Sequence, residues 1–314
     1  MGTYVLKRII TIVPIFLLAT LLTFGMINLS PVDPAEAYFA AAHIQATDEM
    51  LEQKRHEFGL DQPLFIQYVN SLIKVGQFDF GISYVTNKPV WQEISARLPA
   101  TIQLTIGSLL IAILVSVPIG FLAGIKKNSG MDHLSRFLSF IGASIPSFWL
   151  GYLLIFFFSV KLDLFPVEGI GTWKHLVLPS VTLAFPLIAL YTRLLRVSVL
   201  ENLQESYVLF ARTRGVHENI IMGKHVLRIA ISPMITGLGM NLGNLMTGAI
   251  IVEAVFSWPG FGRFFIEAVF NRDVPVIQGY VLLAAGIFLI SNLLVDLIQM
   301  YIDPRISRRG RQYR

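Results

Sequence analysis

Six long apolar runs constrain this 314-residue chain more than any other feature. A helix needs about 20 mainly apolar residues to cross the hydrocarbon core of a bilayer. Charged residues make up only 14% of the chain, whereas a soluble domain carries about 25%. We therefore predict an all-α membrane protein with six transmembrane helices. The predicted spans are Ile9–Leu29, Ala100–Ile125, Phe137–Val160, Leu176–Thr192, Ile229–Phe256 and Val276–Ile302.

The positions of lysine and arginine predict the orientation of these helices. Sixteen of the 25 cations lie before span 1, between spans 2 and 3, between spans 4 and 5, or after span 6. Cytosolic loops carry such an excess, so both termini should be cytosolic. The net charge of +5 follows from this bias and does not indicate a nucleic-acid partner.

The outer loop 31–99 is too long to be a simple turn, and it carries nine acids against five cations. Thr47 is a typical N-cap for a helix that ends at Gly59. Further short helices are predicted over Gln62–Val75 and Val90–Arg97. The loop is either a solvated lid or a docking surface for an extracytoplasmic partner.

A second outer loop contains a turn signal at Trp258, Pro259, Gly260 and Gly262. A short helix over Phe264–Asn271 should follow, with Phe265 and Ala268 able to face the bilayer. We expect a re-entrant or interfacial helix there. The alternative is a belt of aromatic side chains at the membrane surface.

The sequence contains no Walker motif, no H-E-x-x-H motif and no G-x-S-x-G motif. No glycine-rich phosphate loop precedes Gly223-Lys224, and there is no cysteine. The histidines form no cluster along the sequence, so no metal site is predicted. Glu253 and Asp296 are acids that lie within the predicted spans. An acid inside a membrane is costly, so each is either a functional residue or one that pairs with another group near the membrane surface.

Span 5 is unusually rich in small and polar residues. Gly239 and Gly243 are four residues apart, as are Gly120 and Gly124 in span 2, and this spacing allows helices to approach closely. A polar face could line a translocation path or form hydrogen bonds between helices. The candidate path residues are Asn241, Asn244, Thr247, Gly248 and Glu253.

The cytosolic segment 193–228 contains a basic stretch with aromatic and apolar residues, a composition that lipid contact alone does not explain. A helical run from about Glu205 to a glycine, followed by a second run, predicts a rigid knob at the membrane face. We interpret this knob as a docking site for a separate motor protein. Its candidate residues are Glu205, Tyr207, Phe210, Ala211, Arg212, Arg214 and Gly215.

Specific stretches resemble the permeases of binding-protein-dependent ABC importers, in the dipeptide, oligopeptide and nickel branch. They include TYVLKRI, PVDPA, FGLDQPLFIQY, YVLFARTRGV, HVLRIAISP, FSWPGFGR, NRDVPVIQ and LLVDLIQMYIDPRI. The ARTRG element resembles the family's ATPase-coupling loop, with a degenerate start at Leu209-Phe210-Ala211. Within the branch, TDEMLEQ, FDFGIS, GTWKHLVLPSVTLAF and SPMITGLGM look like the nickel-import subgroup.

This resemblance implies a type I importer permease in the cell membrane that translocates nickel, free or chelated, with di- or oligopeptides as the alternative cargo. An ATP-independent secondary transporter is the distant alternative. The implied partners are a second permease subunit, two ATPase subunits that bind ATP and Mg²⁺, an extracytoplasmic binding protein and membrane lipid. The chain itself would be no enzyme and hold no cofactor. We divide it into a lead segment and first span (1–30), an outer loop (31–99), a permease core (100–302) and a basic tail (303–314).

Overall fold

The computed structural model describes residues 2–29, 31, 33–41 and 44–302, and every extended regular element in these ranges is a helix. The basic tail 303–314 lies outside them. The α-helices are α1 Gly2–Asn28, α2 Pro34–Ala41, α3 Asp48–Phe58, α4 Leu64–Gly76, α5 Val90–Ile125, α6 Gly130–Ser144, α7 Ser147–Leu154, α8 Trp173–Asn202, α9 Ser206–Thr213, α10 Glu218–Ile220, α11 Leu227–Ala230, α12 Ser232–Gly248, α13 Ile250–Val255, α14 Phe261–Phe270 and α15 Val274–Ile302. Two π-helical segments, Ile155–Lys161 and Ile221–Val226, continue α7 and α10.

The membrane-spanning pattern is confirmed in four cases, shifted in one and modified in one. The predicted fifth span, Ile229–Phe256, is replaced by a helical stretch over Glu218–Gly243, which begins and ends earlier along the chain. In the described chain, five helices are long and apolar enough to cross a membrane. The predicted third span is broken, because α6 and the helix that starts at Ser147 meet at an angle of 107°. Pro146 explains the break: the residue before a proline avoids helical angles, and Ile145 is extended at φ −84° and ψ 123°.

Two glycine pairs allow close helix contacts. A Cβ atom on Gly120 would lie 2.8 Å from the carbonyl oxygen of Thr192, and one on Gly124 would lie 2.6 Å from Val199. These positions join α5 to α8. Gly239 in α12 faces Val295 in α15 at 2.6 Å in the same way. The small-residue spacing therefore has the packing role that the sequence predicts for it.

The outer region partly follows its prediction. The Thr47 hydroxyl accepts a hydrogen bond from the Met50 N–H at 3.4 Å, and Gly59 ends α3 in the left-handed region at φ 70°. The separate helix predicted over Val90–Arg97 is wrong, since Val90 begins α5 and the helix runs without a break into the second span. The boundary drawn between residues 99 and 100 therefore falls inside one helix.

A buried carboxylate anchors the outer loop to the core. Asp273, which follows α14, accepts hydrogen bonds from the Ser83 hydroxyl at 2.5 Å and from the Tyr84 N–H at 3.1 Å. The Tyr84 ring packs against Tyr38 and Phe58, with ring centroids 5.3 and 5.8 Å away. Burial raises the pKa of the Tyr84 phenol most, and the negative charge of the nearby Asp273 raises it further. Residues 83–85 are thus fixed to the end of α14.

Candidate functional site

The segment between α8 and α12 forms the expected knob of two short helices joined by a glycine. Gly215 has φ +72°, a backbone conformation that suits glycine, and it follows directly on the end of α9. Val208 of α9 is buried against the core, whereas the next two residues, Leu209 and Phe210, expose 66% and 59% of their surface. An apolar tip therefore projects from an anchored base.

Polar contacts stiffen this knob. Arg212 donates two hydrogen bonds to the Glu218 carboxylate, from Nη2 at 2.5 Å and from Nε at 3.2 Å, and so bridges the glycine turn. The ion pair raises the pKa of the Arg212 guanidinium. The Arg214 guanidinium lies 4.8 Å from the centre of the Phe210 ring.

The base of the knob is continuous with α8. The Tyr207 hydroxyl donates to the Asn202 side-chain oxygen at 3.0 Å, across the junction of α8 and α9. Tyr207 and Ala211 pack against the main core, while Glu205 is the exposed N-cap residue of α9. The structure therefore gathers the predicted coupling residues into one compact unit.

The sequence reasoning missed a buried ion pair between α6 and α8, the helix that leads into this unit. Asp132 on α6 is fully buried and accepts hydrogen bonds from Arg196 on α8, through Nε and, at 3.1 Å, through Nη2. It also accepts the Asn128 N–H at 2.9 Å, and Arg136 lies 3.4 Å away. The pair joins the start of α6 to α8 at a point six residues before α8 ends at Asn202. The i, i+4 spacing of Asp132 and Arg136 was visible in the sequence, but the partner 64 residues away was not.

The polar face of α12 makes an interhelical contact at Asn241. Its amide donates to the Tyr191 hydroxyl on α8 and to the Gly237 carbonyl, both at 3.0 Å. This geometry favours packing over path lining for that residue. The side chains of Asn244, Thr247, Gly248 and Asp296 lie outside the part of the chain that is described.

Glu253, also predicted for the path, is fully enclosed by protein. Its carboxylate accepts the Thr101 hydroxyl of α5 at 2.6 Å and the Arg263 N–H at 2.9 Å. Thr101 in turn accepts the Phe261 N–H at 2.8 Å. Glu253 and Thr101 thus supply acceptors to the first turn of α14, whose N–H groups have no partner inside the helix. In this structure Glu253 is a buried cap for α14 and does not face a path.

The outer turn closes over this carboxylate. The Trp258 indole N–H donates to the Ala100 carbonyl at 2.9 Å and its ring is buried, while Pro259 is exposed. A Cβ atom on Gly260 would overlap the Glu253 carboxyl group, and one on Gly262 would lie 2.8 Å from the Ile250 Cα atom. Neither position has room for a Cβ atom, so both require glycine.

The predicted bilayer contacts of α14 are wrong. Ala268 is buried in a cluster with Val90 and Val276, and the Phe265 ring stacks on Tyr280 with centroids 4.2 Å apart. The apolar spacing was read correctly as helical, but the apolar face packs against α5 and α15.

Comparison with protein families identifies the chain. Residues 116–308 match the family described as "Binding-protein-dependent transport system inner membrane component". The chain belongs to this family. Residues 1–105 match the corresponding N-terminal family of such membrane components. The protein is therefore a permease subunit of an ABC importer in the cell membrane, and ATP hydrolysis takes place in a separate subunit.

Full-length relatives support the same assignment. The permease is 40% identical over 306 residues to the "Glutathione transport system permease protein GsiC" of Pectobacterium atrosepticum, covering 98% of this chain and 99% of the relative. It is 39% identical to the protein of that name from Escherichia coli K12, with the same coverage. These names do not support the nickel subgroup that the sequence stretches suggested.

A solved structure shows the fold. The permease resembles a chain of the MetNI methionine ABC transporter with a TM-score of 0.58, over 67% of this chain and 96% of that one, at 17% identity. At this identity the likeness concerns the fold alone, and it agrees with the predicted type I importer permease.

Proposed function

We propose that this permease translocates a short peptide of the glutathione kind, delivered by an extracytoplasmic binding protein. The observation that carries this proposal is the 39–40% identity, over 98% of the chain, to permeases named for glutathione transport. The alternative cargo considered from the sequence, a di- or oligopeptide, is chemically closer to glutathione than nickel is.

Nickel remains the second candidate, because four stretches of the chain look like the nickel-import subgroup. Among the described residues, no three histidine, aspartate or glutamate side chains come together as metal ligands. A permease that passes on a chelated metal would need no such site. The choice between the two cargoes therefore requires a transport measurement.

The knob at residues 205–218 is the proposed ATPase contact. Leu209 and Phe210 form an exposed apolar tip, and the Arg212–Glu218 pair and the buried Val208 hold it on the end of α8. A tip on a rigid base can transmit the movement of an ATPase subunit into the membrane helices. Two ATPase subunits with bound ATP and Mg²⁺, together with a second permease subunit, would complete the importer.

Alternating access would follow from this linkage. ATP binding and hydrolysis would move the knob, α8 would carry the displacement into the core, and the path would open in turn to each side. The outer region, anchored by Asp273, would receive the binding protein. The chain supplies the path and the linkage, while the chemistry of ATP stays with the partner subunits.

The decisive experiment is reconstitution of the permease with its partner subunits and binding protein in lipid vesicles. ATPase rate and uptake would be measured with reduced glutathione, a dipeptide, nickel ion and a nickel–histidine chelate. We expect glutathione or the dipeptide to stimulate both rates. Stimulation by the nickel species alone would overturn the peptide proposal while leaving the family assignment intact.

A further inference from the structure

Helix α4 is an amphipathic helix that touches α1 and α15 but has no fully buried residue. None of its 13 residues is buried, although its sequence is LFIQYVNSLIKVG. Leu64, Phe65 and Ile73 expose 60%, 76% and 54% of their surface. Phe65, Val69 and Ile73 follow each other at i, i+4 and i+8, so they lie on one face, and Lys74 lies away from it.

Contacts with α1 place α4 at the level of the bilayer. The Tyr68 hydroxyl lies 3.0 Å from the Thr20 hydroxyl and 3.3 Å from the Leu17 carbonyl oxygen, and its ring is 5.4 Å from that of Phe24. The apolar span of α1 covers Ile10–Asn28. At 1.5 Å per residue, Thr20 lies about 12 Å inside the Asn28 end of this span. Tyr68 therefore reaches toward the middle of the membrane from a helix near its outer surface.

A contact with a second spanning helix, α15, independently places α4 near the outer side of the membrane. Gln278 is the fifth residue of α15, and its amide contacts the Ser71 hydroxyl of α4 at 3.5 Å. This end of α15 is the predicted outer end. Both neighbours thus place α4 beside the outer ends of spanning helices, and not in the aqueous region beyond them.

We propose that α4 is an interfacial helix whose exposed apolar face contacts the acyl chains of the outer leaflet. Thirteen residues reach only about 20 Å, short of the roughly 30 Å hydrocarbon core, so α4 lies against the membrane and does not cross it. Amphipathic helices with this pattern bind in the plane of the interface.

The neighbouring surface favours lipid as the occupant. The apolar side chains of α4 lie beside exposed apolar residues of α1, namely Leu17, whose carbonyl oxygen Tyr68 contacts, and Leu21 one turn further along. Phe78 and Trp91, with ring centroids 4.9 Å apart, follow at the end of α4, and aromatic residues concentrate at membrane interfaces. Lys74 in the last turn can extend its ammonium group to the headgroups. The outer region is then partly a membrane anchor and only partly a docking surface.

The absence of cysteine allows a direct test, because a single introduced thiol can be labelled on the purified permease, before assembly, without a background reaction from this chain. Phe65→Cys and Ile73→Cys place a spin label on the apolar face, and Lys74→Cys is the matched control on the polar face of the same helix. Each variant would be reconstituted as the assembled importer in lipid nanodiscs. Collision with oxygen, which concentrates in lipid, would be compared with collision with water-soluble chromium oxalate.

We expect oxygen to relax the labels at 65 and 73 more strongly than chromium oxalate, and the order to reverse at 74. Chromium oxalate dominating at 65 and 73 would show an aqueous face and overturn the proposal. Labels there that neither reagent reaches would show a protein partner, such as the second permease subunit, and would overturn it equally. The two apolar positions are independent, so failure of one variant to assemble leaves the other as the test.

Discussion

Replacement of Gly260 by alanine should destabilise the outer turn through one specific overlap. The added Cβ atom would collide with the carboxyl group of Glu253. The backbone of Gly260 itself, at φ −92°, accepts alanine without strain. The carboxylate would have to leave its hydrogen bonds to Thr101 at 2.6 Å and to the Arg263 N–H at 2.9 Å.

The expected loss of stability combines two effects. Overpacking of a well-packed site costs about 1–3 kcal/mol. A hydrogen bond to a buried charged group contributes about 1.5–3 kcal/mol, and at least one such bond would be lost. The free energy of unfolding should therefore fall by roughly 3–6 kcal/mol. The matched control is Gly130→Ala at the start of α6, where a Cβ atom would meet nothing within 4 Å.

Thermal unfolding of the purified permease, followed by tryptophan fluorescence, would measure this loss. Trp258 is one of four tryptophans and is buried in the affected turn, so its emission should also shift to the red. The double variant Gly260→Ala/Glu253→Ala removes the colliding group and should be less destabilised than the sum of the single variants. Strict additivity, or equal melting temperatures for Gly260→Ala and Gly130→Ala, would refute the reasoning.

Three further predictions concern the other contacts. Arg196→Met should lower stability by roughly 3 kcal/mol, because it leaves the Asp132 carboxylate buried beside less positive charge, and the exchange Asp132→Arg/Arg196→Asp should recover part of the loss in a melting assay. Gly215→Val should reduce uptake per ATP hydrolysed in the assembled importer, since a branched residue at φ +72° is strained, whereas Gly215→Asn should be tolerated; normal coupling in the valine variant would contradict the role of the turn. The raised pKa of Tyr84 means that its contribution to stability is complete below the unfolded pKa of about 10 and is lost as pH rises through the folded value. The melting temperature of the native protein should therefore fall more steeply above pH 10 than that of Tyr84→Phe, and parallel curves would argue against this account.

Several local features could be predicted because nearby residues determine them. The helix from Asp48 to Phe58 has its N-cap at Thr47 and its left-handed glycine at Gly59, both within one turn of the helix they end. The turn at Gly215 is similarly local. Pro146 was equally visible, yet the apolar run around it was read as one span, because hydropathy records length and not direction.

Partners far apart along the chain account for what was missed. Asp132 and Arg196 are 64 residues apart, and Thr101 and Glu253 are 152 apart. Glu253 looked like a path residue, since an acid in a span is costly without a partner. The partners that offset this cost are a hydroxyl on another helix and the N–H groups of α14, which the sequence around Glu253 does not reveal.

Composition and the length of the apolar runs are enough to predict a helical membrane protein, because they decide whether a segment can leave water. Its stretches and its 40% identity to a permease likewise establish the family. The role of each polar residue in the membrane, by contrast, depends on how the helices pack against one another. The same asparagine or glutamate can line a path or join two helices, and the difference depends on which distant side chain faces it. Asn241 meets Tyr191 and Glu253 meets Thr101, and these meetings arise from helix packing that no local pattern records.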